Sequence, residues 1–217
     1  MIKQALLALA ISGTMLSAQA GVVLTEGFDN VSALTGWTMT NASTPAVGDA
    51  FRQGNAAIFT SQTGADNSFI SASYFSSTDG GIVNNWLITP VFSAVYGATV
   101  TFWLKGEVLN GLTDTITYGF SDGSTALTSF VTGAAVTATG VWTQLTATLA
   151  AGSANTYFGI NYAGADASLN YIGLDTLVIN ANDATGDVPE PASLAILAAG
   201  LIGMGAARRR KNRALAA

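Results

Sequence analysis

Thr99-Val100-Thr101-Phe102-Trp103-Leu104-Lys105 places Val100, Phe102 and Leu104 on one face of an extended chain and Thr99, Thr101, Trp103 and Lys105 on the other. Successive side chains of a strand point to opposite faces, so this period of two predicts a half-buried strand. The alternation returns at 141–149, where Val141, Thr143, Leu145, Ala147 and Leu149 oppose Trp142, Gln144, Thr146 and Thr148. Further strands are predicted at 22–28, 36–40, 57–60, 69–75, 86–92, 115–120, 156–162 and 171–179, from β-branched and aromatic content. Asp79-Gly80-Gly81, Asn110-Gly111 and Asp122-Gly123 supply turns between several of them. No helical stripe runs between Gly21 and Asp187. About ten short strands predict an all-β chain, a jelly-roll-like antiparallel β-sandwich, with an up-and-down barrel as the competing architecture. A transmembrane barrel is disfavoured, because evenly spaced lipid-facing strands of about 10 residues are missing.

Outward from this segment, both ends read as addresses. Lys3, an apolar run over 5–15 and Ala18-Gln19-Ala20 before Gly21 form a signal peptide over 1–20. At the other end Val188-Pro189-Glu190-Pro191 precedes an apolar run over 192–207 and then Arg208-Arg209-Arg210-Lys211-Asn212-Arg213. As a helix that run spans roughly 24 Å, short of a hydrocarbon core of about 30 Å. Its basic end, Arg208, Arg209, Arg210, Lys211 and Arg213, is a topology signal that keeps this flank cytoplasmic and everything before Val188 outside. The expected order is therefore signal peptide 1–20, sandwich 21–180, polar spacer 181–187 and C-terminal sorting signal 188–213 with a single hydrophobic helix.

Charge and composition remove whole classes of function. Between Gly21 and Asp187 the basic residues are Arg52 and Lys105, against twelve carboxylates, a net charge of 2 − 12 = −10. Such a domain repels phosphate backbones and is no nucleic-acid binder, while divalent cations remain suitable partners. The sequence contains no His and no Cys, so Ser-His-Asp and Cys-His nucleophile systems, His- or Cys-ligated zinc and disulfides are all excluded.

Several short motifs, in order, carry a family resemblance. Glu26-Gly27-Phe28-Asp29, Gly36-Trp37, Asn84-Asn85-Trp86-Leu87-Ile88-Thr89-Pro90 with Thr101-Phe102-Trp103, and Ile172-Gly173-Leu174-Asp175-Thr176-Leu177-Val178-Ile179 resemble the choice-of-anchor J domain. That family is similar to the jelly-roll modules of cleaved adhesins and MAM-type domains. The tail from Val188 to Arg213 resembles the PEP-CTERM sorting signal. The tail resemblance implies processing near Pro189-Glu190-Pro191 by an exosortase, an integral-membrane cysteine transpeptidase or protease. The chain would be exported through the inner membrane, held transiently by its C-terminal helix, then released to the cell surface or extracellular matrix. The prolines keep the motif extended and Glu190 is its charged handle. A single-span anchor that is never cut is the alternative.

Three kinds of side chain are candidates for work in the sandwich. Glu26, Asp29, Glu107, Asp114 and Asp175 are available for paired-carboxylate glycoside hydrolysis, but nothing in the sequence places two of them at the required separation, so no enzyme is expected. Glu26 and Asp175 are the candidate ligands of a structural Ca2+ ion if the terminal strands are neighbours, an expectation resting on the jelly-roll relatives. The alternative is a partly buried acid satisfied by backbone N–H groups. Trp37 and Trp86 are expected in the core, whereas Trp103 and Trp142 lie opposite the apolar set of their strands and are candidates for contact with extracellular polysaccharide. If their strands are neighbours, they cover one another instead. The leading functional reading is a non-enzymatic exported surface or matrix protein associated with exopolysaccharide or biofilm. The alternative is a carbohydrate-binding module.

Overall fold

The computed structural model describes residues 20–183. The signal peptide up to residue 19, the sorting motif Val188, Pro189, Glu190 and Pro191, the apolar run and the basic end lie outside the described residues. Thirteen strands are described: β1 (Ala20–Glu26), β2 (Thr38–Asn41), β3 (Thr44–Ala46), β4 (Arg52–Gln53), β5 (Ile70–Ser73), β6 (Ser77–Ile88), β7 (Ala98–Gly106), β8 (Thr115–Asp122), β9 (Val131–Thr132), β10 (Val136–Thr137), β11 (Thr143–Leu149), β12 (Thr156–Ala165) and β13 (Tyr171–Asn182). They form two antiparallel sheets, so the all-β sandwich expected from the alternation is the fold of the described residues.

The first sheet runs β11-β7-β13-β5-β4, and β1 shares with β5 the free side of β13. The second runs β10-β8-β12-β6-β2, with β3 and β9 completing the edges of β6 and β8. β7 explains the packing. Val100, Phe102 and Leu104 are all buried, as their alternation requires, while Thr99, Thr101, Trp103 and Lys105 are half-buried on the outer face. From β12, Phe158, Ile160 and Tyr162 come down onto them across the sandwich, and Phe102 stands 5.8 Å from Phe158 and edge-on to Tyr118 at 5.1 Å. Each such side chain contributes about 1.5–3 kcal/mol of apolar burial.

Four expectations change. Residues 57–60 are a turn, with the Ile58 N–H on the Asn55 carbonyl, because Phe59 is used to cover a sheet. Asp79-Gly80-Gly81 lies inside β6, where Gly80 takes a positive φ of 80° and the chain stays paired to β3. Val141 is exposed, since β11 is an edge strand that starts at Thr143. Trp86 is buried, but on the outer face of its sheet. Leu87 points to the core, and Trp86, its neighbour on the other side of the pleat, packs 5.2 Å from Phe130. Phe130 reaches it across Gly159, where a Cβ would fall 2.6 Å from the Phe130 ring.

Candidate functional site

The outer face of β7 and β13 carries two of the candidate side chains, Trp103 and Asp175, and residues 54–69 lie over it. The reason begins at Gly173: a Cβ there would come within 2.8 Å of both Phe59 and Phe69, so its absence lets the two rings lie on the strand. Phe59 and Phe69 stack at 5.1 Å, and Tyr171 meets Phe59 at 5.4 Å. Gln53 anchors the start of this cover, donating to the Phe28 and Asn67 carbonyls at 2.8 and 2.7 Å and accepting the Val31 N–H at 2.9 Å.

Trp142 belongs to this cover. Its ring stands edge-on to Phe59 at 5.7 Å and to Phe69 at 5.8 Å, and its indole N–H donates to the Thr60 carbonyl at 3.0 Å. Lys105 Nζ sits 4.8 Å from the Phe59 centroid and 5.9 Å from that of Trp142, a cation–π arrangement. The expected exposed pair of tryptophans is therefore corrected on this side: Trp142 fastens the 54–69 segment, with its polar edge already occupied. Trp103 is half-buried on the same face, opposite Gln144 of β11 and Asp175 of β13. β7 and β11 are neighbours, but the ring contacts of Trp142 go to Phe59 and Phe69.

The terminal strands are neighbours too, with Glu26 opposite Leu177. Asp175 is fully buried, and its Oδ2 accepts the Gln62 N–H at 2.7 Å and the Thr63 N–H at 3.1 Å, while Oδ1 accepts the Thr176 hydroxyl at 3.0 Å. Burial pushes this carboxyl above its ordinary value, and the three donors oppose the shift without cancelling it. Glu26 Oε1 accepts the Phe28 N–H at 2.8 Å. Phe28 and Thr176 both hold positive φ, 55° and 44°, and Thr176 falls where the pairing of β13 with β7 shifts register. A Ca2+ site needs oxygen acceptors converging on a cation, whereas here N–H and O–H donors converge on the Asp175 carboxylate. Among the described residues no group of three or more acidic side chains is gathered for a metal. The hydrogen bonds on Asp175 are those of the satisfied-acid alternative.

The remaining acids divide in the same way. Asp114 is buried and accepts the Tyr162 hydroxyl at 2.6 Å and the Asn170 N–H at 2.8 Å on Oδ1, and the Tyr171 N–H at 3.3 Å on Oδ2. Burial and the Asp114 charge together push the Tyr162 phenol far above its usual range. Glu107, half-buried just past β7, has one oxygen held by Asn170 Nδ2 at 2.9 Å. It faces a cleft of about 320 Å3 that also holds Arg52 and the aromatic rings of Tyr74, Phe75 and Tyr171. The sequence reading did not bring Arg52 and Glu107 together; only the pairing of β4 with β5 and of β13 with both β5 and β7 does so.

Residues 187–211 match the PEP-CTERM protein-sorting motif. The described domain is similar in structure to the K1 cleaved adhesin domain of Lys-gingipain from Porphyromonas gingivalis, at 22% identity and a TM-score of 0.59, over 74% of this chain and 98% of that one. The K3 and K2 domains of the same protein follow at 20% and 16% identity, with TM-scores of 0.55 and 0.52, covering 74% and 72% of this chain and 100% and 96% of theirs. These likenesses establish a cleaved-adhesin jelly-roll fold in front of a sorting tail. No curated protein matches the chain by sequence. Among the described residues no helix is long and apolar enough to cross a membrane, and the apolar run over 192–207 lies outside them.

Proposed function

We propose that this chain is an exported, non-enzymatic surface or extracellular-matrix module, associated with exopolysaccharide or biofilm, whose C-terminal tail is processed by an exosortase-type enzyme. The sorting motif over 187–211 carries the proposal. It follows a sandwich with its own core of aromatic and aliphatic side chains, so removal of the tail leaves that core whole. The short apolar span supports transient anchoring, and the filled valences of Asp114 and Asp175 support a structural rather than catalytic use of the buried acids.

Mass spectrometry of the native protein from fractionated membranes tests it. The expected product ends near Val188, Pro189, Glu190 or Pro191 and leaves the inner membrane; an intact tail retained there overturns the proposal. Glu190→Gln is expected to accumulate uncut, since it removes the one charge of the motif.

A second reading, a carbohydrate-binding module, draws its support from Trp103, half-buried among the Thr and Gln side chains of the outer face. Its test is binding of neutral polysaccharide that Trp103→Ala abolishes.

A further inference from the structure

Two charged side chains meet across one cleft without neutralising each other. Of the two basic residues between Gly21 and Asp187, Lys105 is committed to the Phe59 and Trp142 rings, while Arg52 is exposed at the edge of the first sheet and lines the cleft of about 320 Å3. Glu107 lines the same cleft, and so does Tyr171, whose hydroxyl accepts the Asn55 N–H at 2.9 Å. Asn170 Nδ2 holds Glu107 Oε2 at 2.9 Å, which fixes the carboxylate and leaves Oε1 without a partner among the described residues. Phe75 is 60% exposed at the rim, its ring 4.1 Å from that of Tyr74.

We infer that this cleft binds a neutral sugar unit of a glycan chain. The inference shares only its ligand class with the carbohydrate reading: it draws that class from the cleft's own side chains and places the sugar there instead of at Trp103. A sugar hydroxyl is both donor and acceptor, so one face of the ring's rim satisfies the open guanidinium donors and the open carboxylate oxygen at once. The C–H face of the ring covers the exposed ring of Phe75, which Tyr74 braces. A simple cation leaves Arg52 without a role, and a polyanion is repelled by a domain of net charge −10 and by Glu107 itself. The size agrees, lying at the lower end of the roughly 300–1,000 Å3 range of small-ligand sites. A second cleft of about 410 Å3 shares Tyr74 and Asn170 and continues past Asp79, Leu109 and Leu112, which gives a second unit of the same chain somewhere to lie.

Affinity gel electrophoresis of the full chain in xylan, galactan, β-glucan, mannan and alginate tests the assignment. Retardation by at least one neutral polysaccharide is expected, weakened about tenfold or more in Arg52→Met, Phe75→Ala and Glu107→Gln and unchanged in Trp103→Ala. Arg52 and Phe75 are exposed, so these variants keep the wild-type melting temperature within a few degrees, and weakened binding then reports the cleft. Retardation that survives Arg52→Met and Phe75→Ala but vanishes in Trp103→Ala moves the ligand to the outer face and overturns the cleft alone. Retardation by alginate only assigns Arg52 to an anionic sugar and overturns the neutral ligand. No retardation by any of the five overturns both the cleft and the carbohydrate reading.

Discussion

Asp114 and Asp175 are two buried carboxylates that each collect three donors, yet they hold different things. Around Asp114 all three donors are themselves buried: the Tyr162 hydroxyl rises from β12 of one sheet, and the Asn170 and Tyr171 N–H groups belong to the start of β13 in the other. The bond set joins the two layers. Around Asp175 the donors are the Gln62 and Thr63 N–H groups and the Thr176 hydroxyl, at the boundary between β13 and an overlying loop. This set fastens a cover to one layer. A buried donor that loses its acceptor has nowhere to go, whereas a loop donor can turn to water, so the same chemistry is global in one place and local in the other.

The sharpest way to break this contrast is to delete each acceptor. Asp114→Ala strands the Tyr162 hydroxyl and two N–H groups, and a loss of about 4 kcal/mol is expected from unmet donors costing roughly 1–3 kcal/mol each. The loss should appear as a lower midpoint in one cooperative denaturant transition. Asp175→Ala is expected to cost about 2 kcal/mol, with faster amide exchange confined to residues 54–69 and the core amides of β7 and β12 still protected. Equal losses, or exchange spreading into the core in both variants, would remove the distinction. Trp142→Ala attacks the same cover from its apolar side. It takes away the Thr60 bond and two edge-on ring contacts, and about 2 kcal/mol or slightly less is expected, with the same local exchange pattern as Asp175→Ala.

The division between layer and cover also explains which features could be read from the sequence. β7 was legible because one face meets the core and the other meets solvent or a thin cover, which imprints alternation on Val100, Phe102 and Leu104. β6 was less so, because both of its faces are covered around Trp86, Leu87 and Ile88 and the run is apolar throughout. Ile58-Phe59 resembles a strand fragment, but Phe59 serves as cover for Gly173, a contact 114 residues away that no local period encodes. Trp142 misled for the same reason. It obeys the alternation and does leave the core face, yet the outer face is already roofed. Arg52 and Glu107 were invisible as a pair because their meeting depends on strand order, which fixes contacts without leaving a local pattern.

Protonation offers the finest test of the cover. Burial raises the Asp175 carboxyl above its unfolded value, so its contribution to stability is fully present below the unfolded value of about 3.9 and is lost as pH rises through the raised folded value. Asp175→Asn does not titrate and keeps an oxygen for the Gln62 and Thr63 N–H groups. The stability of the wild type relative to this variant is therefore expected to fall between acid and neutral pH, by a small amount. The opposite slope would mean that the three donors outweigh desolvation and hold the charged form. Calcium decides what occupies the carboxylate when it is charged. With donors rather than acceptors converging there, the melting temperature is expected to be the same in calcium and in chelator, at neutral pH where the carboxylate is most available. A rise with calcium would show that Gln62 and Thr63 release Asp175 to a cation, turning a clamp on the loop into a metal site shared with Glu26.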